Sequence, residues 1–169
     1  MRRHDIIINP PVRGYWAVYN PPGHPILAFD LLAVDEKKSL YNKGNFIRYL
    51  FSLMPNKPRV SEGFGAFGGN YIMVRSGDFF VLLCHLKKDS AKVKIGDLVR
   101  AGQQLGEVGN SGSSIQPHLH IQVMNSDQYF PLFANLLPFK FSSGKMKQGK
   151  LWSVHEDFEL TNKMHYSFG

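Results

Sequence analysis

Apolar and polar positions alternate, or apolar residues run unbroken, in seven short stretches of the chain. They are GYWAVYN (14–20), ILAFDLLAV (26–34), NYIMVRS (70–76), DFFVLLCHL (78–86), DLVRAGQ (97–103), LGEVGN (105–110) and HLHIQVM (118–124). Each is closed by Gly, Pro, Asn, Asp or Ser, and a period of two bounded by turn formers is the pattern of strands joined by tight turns. Ser-Gly-Asp at 76–78 predicts a hairpin, because Gly77 takes a positive φ at no steric cost. One stretch has another period: KGNFIRYLFSLM (43–54) sets Phe46, Ile47, Tyr49, Leu50 and Leu53 at helical spacing and is ended by Pro55 and Pro58. The segment 56–70 is rich in Pro and Gly and reads as a loop. The tail from Phe130 mixes aromatic and basic residues and is expected to pack along the edge of the sheet. The prediction is a mainly β, antiparallel sheet with one short helix.

Length and composition narrow this picture. A chain of 169 residues suits one domain with a real core, and no linker, composition break or repeat divides it. At 43% hydrophobic and 20% charged residues the composition is that of an ordinary globular protein. No apolar run approaches the roughly 20 residues that cross a bilayer, so no transmembrane segment is expected. The formal charge of +7 favours polyanions, whether nucleic acid, anionic lipid or an acidic cell-wall polymer. The basic residues are scattered, as in EKK (36–38) and KMKQGK (145–150), so a solvated basic surface and no nucleic-acid partner are predicted. Cys84 is the only cysteine, which excludes an internal disulfide, and within FFVLLCHL it reads as a small apolar strand residue. The N-terminal MRRHDIIINPPVRG has a basic start but three isoleucines, short of the roughly 7–15 apolar residues of a signal peptide. Export, if any, is expected to use a segment absent from this chain.

Chemistry concentrates in PHLH. Residues i and i+2 of a strand point to one face, so His118 and His120 offer two nitrogen donors side by side. His85 ends an apolar strand, where a polar ring suits the rim of a cleft. His24 stands on a Gly/Pro-rich loop, and Asp30 lies inside an apolar strand, where a buried carboxylate is costly unless paired or metal-bound. Zinc commonly takes three ligands from His and Asp/Glu and leaves a position for water. His24, Asp30 and one histidine of the pair would make such a set, with the second histidine and His85 able to act on what the metal binds.

From Gly69 to Met124 the chain resembles the core of the lysostaphin-type zinc endopeptidases, which cut peptide cross-links in bacterial peptidoglycan. The likeness rests on unlike elements in the family's order: the GNYI strand, a strand ending in His-Leu, VKIGDLVRAGQQLGEVGNSG (93–112), and PHLH before an apolar strand. The resemblance implies a small antiparallel barrel-sandwich-like sheet with Zn2+ held by His24, Asp30 and His120. It also implies that His85 and His118 are the catalytic histidines. The peptidase domain would occupy 1–169, with its motif core at 69–124 and a C-terminal extension at 130–169. A monomer acting on peptidoglycan in the cell envelope or outside the cell is the matching expectation.

The upstream half departs from the family. Five residues, Pro25 to Phe29, separate His24 from Asp30, where the family histidine is often three residues from the aspartate. The family's hairpin between Asp30 and Gly69 has no counterpart here; either the helix at 43–54 replaces it or residues are missing around 56–66. Two rival readings remain. One is an inactive module that binds peptidoglycan or a partner. The other is a hybrid-barrel phosphocarrier or lipoyl-like domain, since residues 93–112 resemble the turn-rich strands of those folds. A carrier has no need of His24 or Asp30.

Overall fold

The computed structural model describes residues 6–18, 28–33, 68–114, 116–127 and 135–169. The helix expected at 43–54, residues 56–67 of the loop expected at 56–70, and His24 lie outside the described residues. Among those described, the strands are β1 (Ile6–Ile8), β2 (Gly14–Val18), β3 (Ala28–Ala33), β4 (Asn70–Ser76), β5 (Phe79–Leu86), β6 (Leu119–Met124), β7 (Phe139–Gln148), β8 (Leu151–Phe158) and β9 (His165–Phe168). They join one sheet in the order β1-β7-β9-β2-β3-β6-β5-β4, and β8 pairs with β7. Every pairing is antiparallel except that of β1 with β7. The fold is mainly β, as the alternating pattern predicts, and β4 and β5 form the hairpin expected at Gly77, whose φ is +57°.

Strand β6 explains where the site sits. Flanked by β3 and β5, all six of its residues are buried. Leu119, Ile121 and Val123 face the main core with Phe29, Leu31 and Leu83. By the two-residue period His120, Gln122 and Met124 take the other face, where Met124 packs with Leu82 and Cys84 in a smaller cluster. A polar row therefore lies on an apolar floor, held rigid by hydrogen-bonded neighbours on both sides.

Three expectations change. DLVRAGQ and LGEVGN are not strands. Turns at Lys94–Asp97 and Arg100–Gln103 are closed by backbone bonds of 3.1 and 3.0 Å. Asp97 Oδ2 accepts from the Lys94 amide at 2.8 Å and Gln103 Oε1 from the Arg100 amide at 3.1 Å. Such local bonds compete with a strand ladder, and Gly96 and Gly102, with φ of +93° and +80°, permit them. Residues 105–110 pair with the sheet through isolated bridges, Leu86 with Val108 and Gly109 with His118, while Leu105 and Val108 pack against its core. The tail does more than pack along an edge: β7 and β9 enter the sheet between β1 and β2. Their alternating Phe139, Phe141, Tyr166 and Phe168 are buried, and Phe158 and Phe168 each stack with Tyr166.

Candidate active site

Three adjacent strands bring the polar residues level. Asp30 of β3 is in register with His120 of β6, and His120 with Cys84 of β5, so the three side chains share one face. Asp30 and His120 are both buried at 8% exposure, which is tolerable for a carboxylate only because it is paired. His118 stands just before β6, bridged to Gly109.

His85 reaches this face through a break in the alternation. Asn70 pairs with Leu86 and Ile72 with Leu83, so between these pairs β4 has one residue, Tyr71, where β5 has two, Cys84 and His85. This is a β-bulge, and His85 adopts a left-handed φ of +62°, a strained conformation for a non-glycine residue. Strict alternation would send His85 to the core face with Leu83. The bulge turns it to the site instead, where its ring centroid is 4.5 Å from that of His118 and 5.9 Å from that of His120.

The loop before His118 holds the bulge in place. The Ser111 hydroxyl donates to the Leu86 carbonyl at 2.7 Å and accepts from the Asn70 amide at 2.9 Å. Gly109 receives the His118 amide on its carbonyl and donates its own amide to the His85 carbonyl at 3.0 Å, linking the two histidines through backbone. A Cβ on Gly109 would collide with the backbone of Leu86 and Lys87, so this close approach requires glycine.

The ring nitrogens are sorted by their partners. A carbonyl oxygen only accepts, so His85 Nδ1 donates to Ser111 O at 2.8 Å and its Nε2 carries a lone pair. His118 Nδ1 likewise donates to Gln116 O at 2.8 Å, and its Nε2 lies 3.6 Å from Asp30 Oδ1. On His120, Nε2 faces Gln122 Oε1 at 3.0 Å, an amide oriented by donation from Gln122 Nε2 to Met124 Sδ at 3.0 Å. The His120 ring thus stands between two acceptors, Gln122 Oε1 at Nε2 and Asp30 Oδ1 2.9 Å from Nδ1: it is satisfied as an imidazolium donating to both, or with a cation shared by Nδ1 and the carboxylate.

His118 Nε2, His120 Nδ1 and a carboxylate oxygen therefore converge. Acceptors this close repel unless a cation lies between them. A proton meets the need by making an imidazolium–carboxylate pair, and a metal ion meets it with both groups as ligands. An imidazole whose far nitrogen is held by a hydrogen-bond acceptor, beside a carboxylate, is the donor set zinc takes. The residues present fit that metal. Among the described residues no three His, Cys, Asp or Glu side chains form a complete metal-holding group, and His24, the third ligand implied by the resemblance, lies outside them.

Electrostatics separates the remaining groups. Burial, and then the neighbouring His118, push the His85 imidazolium down to about 4, against the smaller opposing pull of the Ser111 carbonyl. His85 is therefore a neutral ring at neutral pH, open at Nε2. Burial, and next the Asp30 charge, push the Cys84 thiol up, so it stays a protonated, inert core residue as its sequence context suggests.

Of the five site residues expected from sequence, the structure brings Asp30, His85, His118 and His120 together. Gln122 and Ser111 were not among them. Gln122 could have been found from alternation, since it shares the His120 face in an otherwise apolar strand; Ser111 could not, because its role depends on the bulge opposite.

A buried carboxylate and three imidazoles thus gather on one face of the β-sheet. Residues 59–131 match the model of Peptidase family M23, and over this span the chain is similar to lysostaphin-type M23 peptidases. Lysostaphin of Staphylococcus simulans is 35% identical over 82 residues, 48% of this chain and 17% of its own length. The peptidoglycan DD-endopeptidase ShyC of Vibrio cholerae is 31% identical over 89 residues, 52% of this chain and 20% of its own. An uncharacterized metalloprotease of Buchnera aphidicola is 41% identical over 65 residues, 38% of this chain and 17% of its own. The chain thus matches about a fifth of the length of these relatives. The matched span includes residues 93–112, on which the carrier-domain alternative rested.

Proposed function

We propose that the chain is a zinc-dependent endopeptidase that hydrolyses peptide bonds of peptidoglycan cross-links. The observation that carries this reading is the convergence of His118 Nε2, His120 Nδ1 and Asp30 Oδ1, with the outer nitrogens of both rings facing hydrogen-bond acceptors. His120 and Asp30 are the described ligands in this reading, with His24 as the third. Zinc supplies a lowered pKa for water and polarisation of a carbonyl oxygen.

The chain's own residues do the rest. The rings of His85 and His118 stand 4.5 Å apart with both Nδ1 atoms engaged, so in this reading each Nε2 accepts one hydrogen of the attacking water and together they aim its oxygen. As that oxygen bonds the carbonyl carbon, one proton passes to His118 Nε2, where the Asp30 carboxylate favours the charge. The same proton goes to the departing amine nitrogen as the C–N bond breaks. His85 is suited to orienting rather than holding the proton, because its surroundings disfavour the charged ring. The Vibrio relative, a peptidoglycan DD-endopeptidase, and the M23 match of residues 59–131 support peptidoglycan as substrate. The cell envelope or exterior is the matching location.

The test is incubation of the zinc-loaded chain with purified peptidoglycan of glycine-bridged and directly cross-linked types. New amino termini, identified by mass spectrometry, are expected from at least one of them. A metal-loaded, folded chain that releases none from either type would overturn the reading.

A further inference from the structure

The β7–β8 hairpin lies beyond the family match, which ends at residue 131, and it carries a surface the peptidase reading does not use. Its base is fixed in the core: Phe139 and Phe141 are buried, and Phe158 stacks on Tyr166. Its tip is not. Among the described strands β8 pairs with β7 alone, and Leu151, Trp152 and Val154 are 78%, 41% and 70% exposed.

The tip is cationic as well as apolar. Lys147 is in register with Trp152 and Lys145 with Val154, so these four side chains share a face, and Lys150 stands in the turn. Lys147 Nζ lies 5.6 Å from the Trp152 ring centroid, a cation–π arrangement. No acidic residue occurs from Phe141 to His155.

An exposed strand edge with large apolar side chains invites pairing, and the lysines oppose pairing with a second, like-charged copy. Their charge calls for an anionic partner. Leu151 and Val154 call for hydrocarbon, which a polysaccharide of hydroxyls and carboxylates does not offer, and tryptophan beside lysine is the combination favoured at a lipid–water interface. We propose that this hairpin tip is a docking surface for anionic lipid bilayers, entered tip first, so that Leu151 on one face of the hairpin and Trp152 and Val154 on the other reach the acyl boundary while Lys145, Lys147 and Lys150 meet the headgroup phosphates. The proposal is independent of the peptidase reading.

The test uses the full chain and lipid vesicles of phosphatidylcholine alone or mixed with phosphatidylglycerol. Sedimentation with the mixed vesicles only is expected, weakening with salt and falling about five-fold for each of Lys147→Gln and Lys150→Gln. Leu151→Ser with Val154→Ser, both at exposed positions, should lower binding at unchanged charge. The chain has two tryptophans, and Trp16 is already buried, so a blue shift of emission on binding reports Trp152 in the native chain without any substitution. Equal binding to neutral and mixed vesicles, undiminished binding of the double serine variant, an unshifted emission, or retention by peptidoglycan but not by vesicles would each overturn the proposal.

Discussion

His120 Nδ1 and Asp30 Oδ1 lie 2.9 Å apart, and Gln122 Oε1 stands 3.0 Å from the other ring nitrogen, so the ring is held between two acceptors. A residue of β6 two positions along thereby decides what the ring offers to β3.

Removing that acceptor should loosen the metal. Gln122→Leu keeps volume in a position 1% exposed but leaves the His120 Nε2–H without a partner, so the ring is expected to rotate its tautomer toward Asp30. Zinc affinity, measured by chelator competition, should fall about 10- to 100-fold, and Gln122→Glu should retain it. An unchanged affinity in the leucine variant would remove Gln122 from the account.

The two histidines of PHLH should separate in their effects. His118→Ala is expected to abolish peptide hydrolysis while zinc content, read by mass spectrometry of the native chain, stays near that of the parent. His120→Ala should lose the metal. Retention of both zinc and activity in His120→Ala contradicts the ligand assignment.

His85 should mark the acid limit of the metal-free chain. Its folded-state value, about 4, lies below the ordinary 6.5, so between these pH values the unfolded chain binds the extra proton. The stability that comes from keeping His85 neutral is therefore full above about pH 6.5 and is lost as pH falls toward 4, on the order of 3 kcal/mol in all. Urea unfolding of the parent and of His85→Asn at pH 7 and 5 checks this, the variant being expected to lack that part of the pH dependence. An NMR titration placing the His85 ring near 6.5 would contradict it.

Gly109 should tolerate no side chain. Gly109→Ala forces a methyl into the Leu86–Lys87 backbone and is expected to cost about 1–3 kcal/mol in urea unfolding, with loss of the His85–His118 juxtaposition. Gly106→Ala is the control: its Cβ would meet Ser90 Oγ at 3.5 Å, an ordinary contact, and stability should change little. Equal effects of the two substitutions would mean that the Gly109 backbone link does not organise the site.

The pairing of His118 with His120 and the cost of Asp30 in an apolar strand were legible in the residues, because strand alternation and the burial of charge are local rules. So were the hairpin at Gly77 and the strands that carry Asp30, His85 and His120. The turns at 94–103 were not: their apolar residues alternate as a strand does, yet Leu98 is 97% exposed and the backbone bonds close locally. Nor was the entry of β7 and β9 into the sheet, since pairing partners far apart in sequence leave no periodic trace.

What the sequence determined by itself was the kind of chemistry: two imidazoles a strand repeat apart, a carboxylate that needs a partner, and a turn-rich motif of one family. Only the tertiary structure decided how those groups meet. Alternation alone puts His85 on the wrong face, and a bulge opposite Tyr71, stapled by Ser111 from a distant loop, turns it to the right one. The direction of each lone pair likewise depends on carbonyls and an amide that reach the rings through folding, because a histidine's tautomer is set by its partner and not by its neighbours in sequence.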